Sequence, residues 1–261
     1  EYFVLDEADR MLDMGFIHDV RRVMEHLPKH RQTLLFSATM PPQVAKLASS
    51  LLTDAVRVDV APQSTPAERI EQRVLFMEKA HKRKALTQML QDESFSRVLI
   101  FTRTKHMANR LAGQLGEKDI VAAAIHGNKS QSARTKALDG FRDGSVRVLV
   151  ATDIAARGID VERVSHVINF ELPNEPESYV HRIGRTARAG QEGIAISLCA
   201  GCERAYLTSI EKLLGAHIPV VRDHEFHSDE AAKGWEEGKP CDNKPKHTRT
   251  RRANEHKRPH R

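Results

Sequence analysis

Short apolar runs alternate with amphipathic stretches along most of this chain, and that alternation restricts the possible folds more than any other feature. The runs are QTLLF, VRVDV, QRVLFM, RVLIF, VAAAI, VRVLVA, VSHVINF and GIAISLC. The stretches between them, such as residues 82–91, 105–115 and 131–141, repeat apolar residues at helical spacing. Runs without polar alternation belong to strands covered on both faces. The sequence therefore predicts an α/β fold with doubly wound parallel sheets, whose functional groups follow the carboxyl ends of the strands.

Interruptions of this pattern divide the chain into domains. Residues 61–72 contain two prolines and no apolar period, so we interpret them as a linker between a first domain, residues 1–60, and a second, residues 73–221. Residues 222–261 are rich in charge, His and Pro, which predicts a disordered tail. The net charge is +6, and residues 239–261 alone hold nine Lys or Arg against two acids. This basic tail is either a solubilising terminus or a nonspecific tether for nucleic acid.

Composition excludes some classes of protein. No apolar run approaches the roughly 20 residues that span a bilayer, so we expect no membrane partner. Three cysteines provide no disulfide framework, and a signal-peptide pattern is missing, which favours a cytoplasmic protein. Cys199 and Cys202 have the spacing of a zinc or redox motif, but no second close pair accompanies them, and a strand end is the simpler interpretation.

Acidic and hydroxyl side chains follow two of the strand-like segments. In FVLDEAD, Asp6 and Glu7 could hold Mg²⁺ beside a phosphate or orient an attacking water. Taken alone, these acids are explained equally well as a helix cap. In LFSATMP, Ser37 and Thr39 follow a strand and precede a helix that we expect to begin at Pro41, which is an ordinary capping pattern.

A third strand is followed by a hydroxyl, a glycine and acids. VLVATDIAARGID places Thr152, Gly158 and Asp160 where a backbone could approach a phosphate or ribose closely, although another capped turn would have the same residues.

The motif YVHRIGRTARAG concentrates positive charge. His181, Arg182, Arg185 and Arg188 fall within about two helical turns and have no interleaved Glu, unlike an ordinary solvated helix. The rigid guanidinium fork suits the neutralisation of charge that develops during phosphoryl transfer.

The order and wording of these motifs are similar to a known family. VLDEAD, SAT, VLIFTRT, AAIHGNKSQSAR, ATDIAARGID and HRIGRTARAG, in that order, resemble the DEAD-box ATP-dependent RNA helicases. The phrases RMLDMGFIHDVRRV and FTRTKHMANRLAGQL look most like the bacterial RhlE branch. The chain departs from the pattern at Ala187, where many members have Gly, and we expect a methyl group to be tolerated at this helical position.

The resemblance implies two RecA-like domains that couple ATP hydrolysis to RNA unwinding and remodelling of RNA–protein complexes. In the nucleotide site, Asp6 would hold Mg²⁺ through water and Glu7 would be the general base. The other implied ATP-binding residues are Gly158, Asp160 and two arginine fingers, Arg185 and Arg188. Asp9 would bond to Ser37, Thr39 and His181 and so couple the domains. The implied contacts to the RNA backbone are Thr102, Gly127, Arg134 and Thr152, with Gln131 ordering that segment.

The resemblance also implies a part that these 261 residues do not contain. The family's Gly-rich phosphate loop should precede the DEAD strand, and GWEEGKP is no substitute because it has the wrong spacing and ends in Pro. We therefore expect a truncated first domain, a complete second domain, and a polypeptide that is inactive by itself. The alternatives are a nucleic-acid-binding module without ATP turnover and a DNA-directed relative. Partners beyond RNA could include ribosome precursors or the RNA-decay machinery, and no obligate oligomer is implied.

Overall fold

A computed structural model describes residues 2–13, 15–59, 70–156, 161, 163–187 and 192–234. The chain divides into two compact units, Glu1–Gln63 and Ser64–Arg261. Both units contain parallel strands with helical connections, so the predicted α/β class is confirmed. Within the described ranges, no helix is both long enough and apolar enough to cross a bilayer.

The first unit contains a small parallel sheet and three helices. Strands β1 (Tyr2–Leu5) and β2 (Gln32–Leu35) pair in register, with Leu5 opposite Leu35. The helices are α1 (Ala8–Asp13), α2 (Ile17–Glu25) and α3 (Pro42–Leu51). The buried core consists of Leu5, Ala8, Val20, Val44 and Leu47.

Two details of the first unit differ from the sequence predictions. Helix α3 begins at Pro42, one residue later than predicted, because Pro41 is its extended N-cap and Pro42 takes the first helical position. The run VRVDV was predicted as a strand, but its described residues have no strand structure, and Val56 is 89% exposed. A β-branched run forms a strand only where a neighbouring strand bonds it, and the described sheet of this unit contains β1 and β2 alone.

The second unit is built on a six-stranded parallel sheet with the order β3-β8-β7-β4-β6-β5. Its strands are β3 (Ile70–Phe76), β4 (Val98–Phe101), β5 (Ala122–Ile125), β6 (Val148–Ala151), β7 (His166–Asn169) and β8 (Gly193–Cys199). Strands β4, β6 and β7 are buried along their whole length, as runs without polar alternation predict. The linker prediction was wrong for residues 70–72, because β3 begins at Ile70 and pairs there with Gly193.

Helices cover both faces of this sheet. In chain order they are α4 (Lys82–Met89), α5 (Lys105–Gly116), α6 (Gln131–Asp143), α7 (Asp153–Ala156), α8 (Pro176–Ile183), α9 (Arg204–Leu214) and α10 (Asp229–Lys233). Thr104 and Ser130 cap α5 and α6, and each hydroxyl accepts a first-turn N–H. The predicted amphipathic stretches at 82–91, 105–115 and 131–141 are therefore confirmed as helices within one or two residues.

The prediction of a disordered tail was wrong for residues 222–234. Residues 219–221 bond to the open edge of β3, since the N–H of Val74 donates to Pro219 O (2.9 Å) and Val221 N–H donates to Val74 O (2.9 Å). The segment that follows continues along this strand, because Ser228 N–H donates to Phe76 O (3.1 Å). Phe226 and Ala231 anchor it, since both side chains are buried in the cores of this unit. A bonded edge strand is protected from pairing with other chains. The sequence did not reveal the segment because two isolated apolar residues make no periodic pattern. Residues 235–261, with the basic cluster, lie outside the described residues.

Candidate functional site

The acidic residues of the first unit follow β1 in an unusual backbone conformation. Glu7 has φ 52°, a left-handed value that costs a non-glycine residue about 1–2 kcal/mol. Its N–H donates to Asp6 Oδ1 (2.8 Å), and its carbonyl accepts from Met11 N (3.1 Å), which starts α1. Asp6 is exposed and Glu7 half-buried. A strained residue that carries a carboxylate at a strand end is typical of a functional site.

A buried carboxylate ties this turn to the end of β2. Asp9 is 6% exposed, and its Oδ2 accepts from both Thr39 N (2.9 Å) and Thr39 Oγ1 (2.7 Å). Its N–H donates to Ser37 Oγ (3.1 Å), and Ser37 Oγ donates to Thr39 O (2.7 Å). The predicted bonds of Asp9 to Ser37 and Thr39 are present. The predicted bond to His181, and the coupling role of the set, stay predictions.

Carboxylate oxygens at this turn fit a magnesium ion chemically. The exposed carboxylate of Asp6 uses Oδ1 for the Glu7 N–H, and its other oxygen has no partner among the described residues. A hard cation that keeps most of its waters needs only one or two such oxygens beside a phosphate. Asp6 and Glu7 therefore have the donor chemistry that the predicted site requires.

In the second unit, predicted RNA-binding residues follow three neighbouring strands. Thr102 follows β4, Gly127 follows β5 by two residues, and Thr152 follows β6, and these strands are adjacent in the order β4-β6-β5. Gln131 and Arg134 lie in the first turn of α6, which comes after β5. The structure therefore places all five residues at the carboxyl edge of one sheet, where ligands of parallel α/β folds bind.

The side chains at this edge differ in accessibility. Thr102 is fully buried and its Oγ1 donates to Thr104 O (3.3 Å), while Thr152 is 8% exposed. A direct contact of the Thr102 hydroxyl with RNA would require its neighbours to move. Gly127 is exposed, and a Cβ added there would meet no atom within 4 Å.

His126 precedes Gly127 in the same turn and was not among the predicted site residues. Its Nδ1 accepts from Asn128 N (3.3 Å), whereas its Nε2 is buried without a partner in the described structure. Burial, helped by Lys129, Lys105 and His106, lowers the pKa of His126. A ring with one unsatisfied nitrogen at the carboxyl edge of the sheet is a candidate hydrogen-bonding group. The unused signal was the histidine inside AAIHGN, at a strand end.

The basic motif begins on helix α8, where Arg182 has a structural role. Its guanidinium makes a two-bond fork to Asp153, with Nε–Oδ1 at 2.6 Å and Nη2–Oδ2 at 2.8 Å. Nη1 also donates to Asn169 Oδ1 (3.1 Å) and to Glu171 O (2.7 Å). The side chain is 1% exposed and stacks over Phe101. Arg182 therefore belongs to the internal structure of this unit, and the motif's cations are not all directed outward.

The remaining basic residues of the motif lie on or just after α8. His181 and Arg185 are both partly exposed, and each has further interactions within the structure. Arg185 follows the end of the helix at Ile183, and its N–H donates to Arg182 O (3.1 Å). The fork of Arg182 thus fixes the backbone from which Arg185 projects. Arg188, Gly158 and Asp160 lie outside the described residues.

Ala187 is not a helical residue, contrary to the sequence prediction. Helix α8 ends at Ile183, and Ala187 has φ 54°. In the left-handed region the Cβ of an L-residue crowds the following carbonyl, a clash that glycine avoids. The Gly that many family members have at this position is therefore explained by backbone conformation, and alanine is strained here.

Replacing this alanine tests that explanation. We expect Ala187→Gly to stabilise the second unit by about 0.5–1 kcal/mol, because relief of left-handed strain exceeds the entropy that glycine adds to the unfolded state. Urea unfolding measures the change. The matched control is Ala133→Gly in α6, where glycine should instead destabilise by about 1 kcal/mol. Destabilisation by both substitutions would show that Ala187 is not strained.

The two cysteines of the CxxC motif lie at and just after the end of β8. Cys199 ends β8 as a buried, free thiol, and burial, with the nearby Glu203, raises its pKa to about 12. A thiol held protonated in this way is a poor metal ligand and a poor nucleophile. No group of three or more potential ligands occurs among the described residues.

Comparison with known proteins identifies the family. Residues 1–47 match the DEAD/DEAH box helicase model, and residues 81–190 match the helicase conserved C-terminal domain. The DEAD-box protein SrmB of E. coli, solved bound to regulator of ribonuclease activity A, is 36% identical with a TM-score of 0.56 over 58% of this chain and 89% of that one. The chain belongs to the DEAD-box helicase family.

Two further relatives show how much of a family member is present. ATP-dependent RNA helicase DeaD of Mycobacterium tuberculosis is 44% identical over 85% of this chain but only 40% of its own length. S. cerevisiae Dbp5 bound to RNA and ADP BeF3 is 34% identical with a TM-score of 0.77, over 85% of this chain and 59% of that one. The chain spans about half the length of the relatives it matches. Other matching bacterial relatives are named RhlB and CshA.

Proposed function

We propose that the protein containing this sequence is an ATP-dependent RNA helicase that couples ATP hydrolysis to local unwinding of RNA and remodelling of RNA–protein complexes. The observation that carries the proposal is the turn after β1, where Asp6 and the strained Glu7 are held by the bonds of Asp9 to Ser37 and Thr39. Carboxylates fixed at a strand end suit the activation of a hydrolytic water. The similarity to DeaD, an ATP-dependent RNA helicase by name, supports the same function.

In the proposed mechanism, residues of both units contribute to one ATP site. Glu7 accepts a proton from the attacking water, and Arg185 and Arg188 neutralise the charge that develops on the transferred phosphoryl group. Gly158 and Asp160 contact the nucleotide. Asp6 would hold Mg²⁺, and the ion when bound would neutralise phosphate charge. Closure of the two units around ATP and RNA completes the site, and hydrolysis reopens it.

RNA binding is proposed at the carboxyl edge of the second sheet. Gly127, Gln131 and Arg134 meet the sugar-phosphate backbone at the start of α6, with Thr102 and Thr152 beneath them at the strand ends. Contacts to phosphates make binding largely indifferent to base sequence. The 2′-hydroxyl then distinguishes RNA from DNA. The basic tail, residues 239–261, is proposed as a nonspecific tether.

Finer assignments are also proposals. The phrases RMLDMGFIHDVRRV and FTRTKHMANRLAGQL favour the RhlE branch, and a cytoplasmic location accords with an RNA substrate. The 261-residue polypeptide alone is proposed to be inactive in ATP turnover, because it contains no Gly-rich phosphate loop. A nucleic-acid-binding module without turnover is the second candidate, since it needs only the edge formed by β4, β6 and β5.

ATPase assays with RNA and DNA test the proposed function. A longer form that includes a phosphate loop should hydrolyse ATP faster when single-stranded RNA is added than when DNA of the same sequence is added. Hydrolysis that DNA stimulates equally would assign the protein to DNA. RNA binding without any hydrolysis would instead favour the binding module.

A further inference from the structure

A cleft lined by basic side chains lies in the second unit, separate from the residues assigned above. We call it the basic cleft. It is lined by Lys79 in the turn before α4, by Arg83 in the first turn of α4, by Arg103 after β4 and by Arg110 on α5. The cavity has a volume of about 170 Å³. Met107 and Phe170 also line it, so that apolar surface lies beneath the cations.

The charge of the basic cleft is unbalanced. Five cationic side chains line it against two carboxylates, those of Glu171 and Glu203. Lys82 and Glu203 form an ion pair in which each side chain is 2% exposed, so these two charges compensate each other internally. Apart from Lys79, which has a further interaction, Arg83, Arg103 and Arg110 then share the single carboxylate of Glu171. A concave surface with excess positive charge attracts an anion.

Arg103 is held in place for such an anion. Its Nη1 donates to Asn174 Oδ1 (3.2 Å), and its guanidinium stacks over the ring of Tyr206 at 5.6 Å. Its distance to Glu171 Oε1 is 3.7 Å, longer than a close hydrogen-bonded pair, and the side chain remains 24% exposed. A guanidinium fixed on a ring loses less entropy when it binds a phosphate.

Arg83 and Arg110 are available for binding. Both side chains are exposed, and within the described ranges neither guanidinium has a hydrogen-bonded or ion-paired partner. Both residues line the basic cleft. An anion in the cleft could therefore be contacted by either guanidinium without breaking an existing interaction.

We propose that the basic cleft binds a phosphodiester group of RNA that extends beyond the carboxyl edge of the sheet. This inference rests on the proposed RNA binding at that edge, because Arg103 directly follows Thr102 at the end of β4. A phosphate group would pair with the cations of the cleft, and the carbon face of a ribose would pack on the apolar surface of Met107 and Phe170. The cleft thus lengthens the stretch of RNA that the second unit holds.

The test measures RNA affinity of the 261-residue chain as a function of salt concentration. The variant Arg83→Gln with Arg110→Gln removes two exposed charges of the cleft. The control, Lys212→Gln with Lys233→Gln, removes two exposed charges from α9 and α10. Binding of fluorescein-labelled oligouridine is followed by anisotropy. The basic tail contributes equally to every variant, so differences in slope report the cleft.

We expect the slope of log Kd against log salt to fall by about 0.7 for each phosphate contact that the cleft variant loses. The control should keep the slope of the original chain. If both variants bind RNA with equal slopes, the proposed role of the cleft in RNA binding is overturned, and the proposed function of the protein is unaffected. Failure of the original chain to bind RNA would overturn both. A cleft variant that loses affinity for oligoglutamate but not for oligouridine would assign the cleft to an acidic protein and overturn the RNA inference.

Discussion

The variant Glu7→Gln should lose ATP turnover while keeping ATP-dependent RNA binding, in a longer form of the protein that includes a phosphate loop. The substitution removes the carboxylate that accepts the proton of the attacking water, and general-base catalysis contributes about 10²–10⁴-fold to rate. The amide preserves size and leaves the backbone bond from Glu7 N to Asp6 Oδ1 in place. Multiple-turnover ATPase kinetics and RNA binding with a non-hydrolysed ATP analogue measure the two properties.

A matched control is available in the same unit. Glu25→Gln removes an exposed carboxylate at the end of α2 and should leave the turnover rate within a factor of two or so of the original, as is usual for surface changes. Full turnover by Glu7→Gln would remove this residue from its proposed role. Loss of both turnover and RNA binding would indicate that Glu7 maintains the fold of the turn rather than the chemistry.

The variant Arg182→Ala should destabilise the second unit by about 3–5 kcal/mol, the range found when one partner of a buried ion pair is removed. The 1% exposed guanidinium joins α8 to Asp153 and satisfies Asn169 Oδ1 and Glu171 O. Alanine would leave those acceptors buried without a donor and open a cavity over Phe101. Hydrogen exchange of the β7 amides in a urea series measures the free energy of unfolding.

An exposed arginine provides the comparison. Arg142 on α6 is 51% exposed and lies 3.4 Å from Asp139, so Arg142→Ala should change stability by no more than about 0.5 kcal/mol. A loss of less than 1 kcal/mol on replacing Arg182 would contradict the structural role of the fork. Because Arg182 lies one turn before Arg185, the same variant should also weaken whatever Arg185 binds.

Much of the fold could be predicted from the sequence because the buried parallel strands leave a direct signature. Runs such as RVLIF and VRVLVA are apolar over the residues that form β4 and β6, and both strands are buried at every position. VRVDV is also rich in valine but has no strand partner in the described structure, which composition alone does not reveal. The order of residues 222–234 was also missed, since it depends on contacts far apart in the chain, such as the bond from Ser228 N–H to Phe76 O.

The candidate site was predicted less completely, because sequence motifs do not state which side chains are buried. In YVHRIGRTARAG, Tyr179, Arg182 and Ile183 share the buried face of α8. Their spacing of three and four could have placed Arg182 on that face, but the motif was interpreted by charge. The strain at Ala187 could be recognised only from its backbone angle. That angle depends on where α8 ends and not on the local composition. Arg103 and Arg110 were not singled out because the cleft exists only in the folded unit, where residues distant in sequence line one cavity.

The central claim is that carboxylates from one unit and guanidinium groups from the other act on the same ATP molecule. A crystal structure of the longer protein with RNA and ADP–beryllium fluoride tests it most directly. We predict that Arg185 and Arg188 will hydrogen-bond the fluoride group that replaces the γ-phosphate, with Glu7 contacting the water in line with it. Side chains of Arg185 and Arg188 directed into solvent, away from a nucleotide that is bound next to Glu7, would contradict the proposed mechanism.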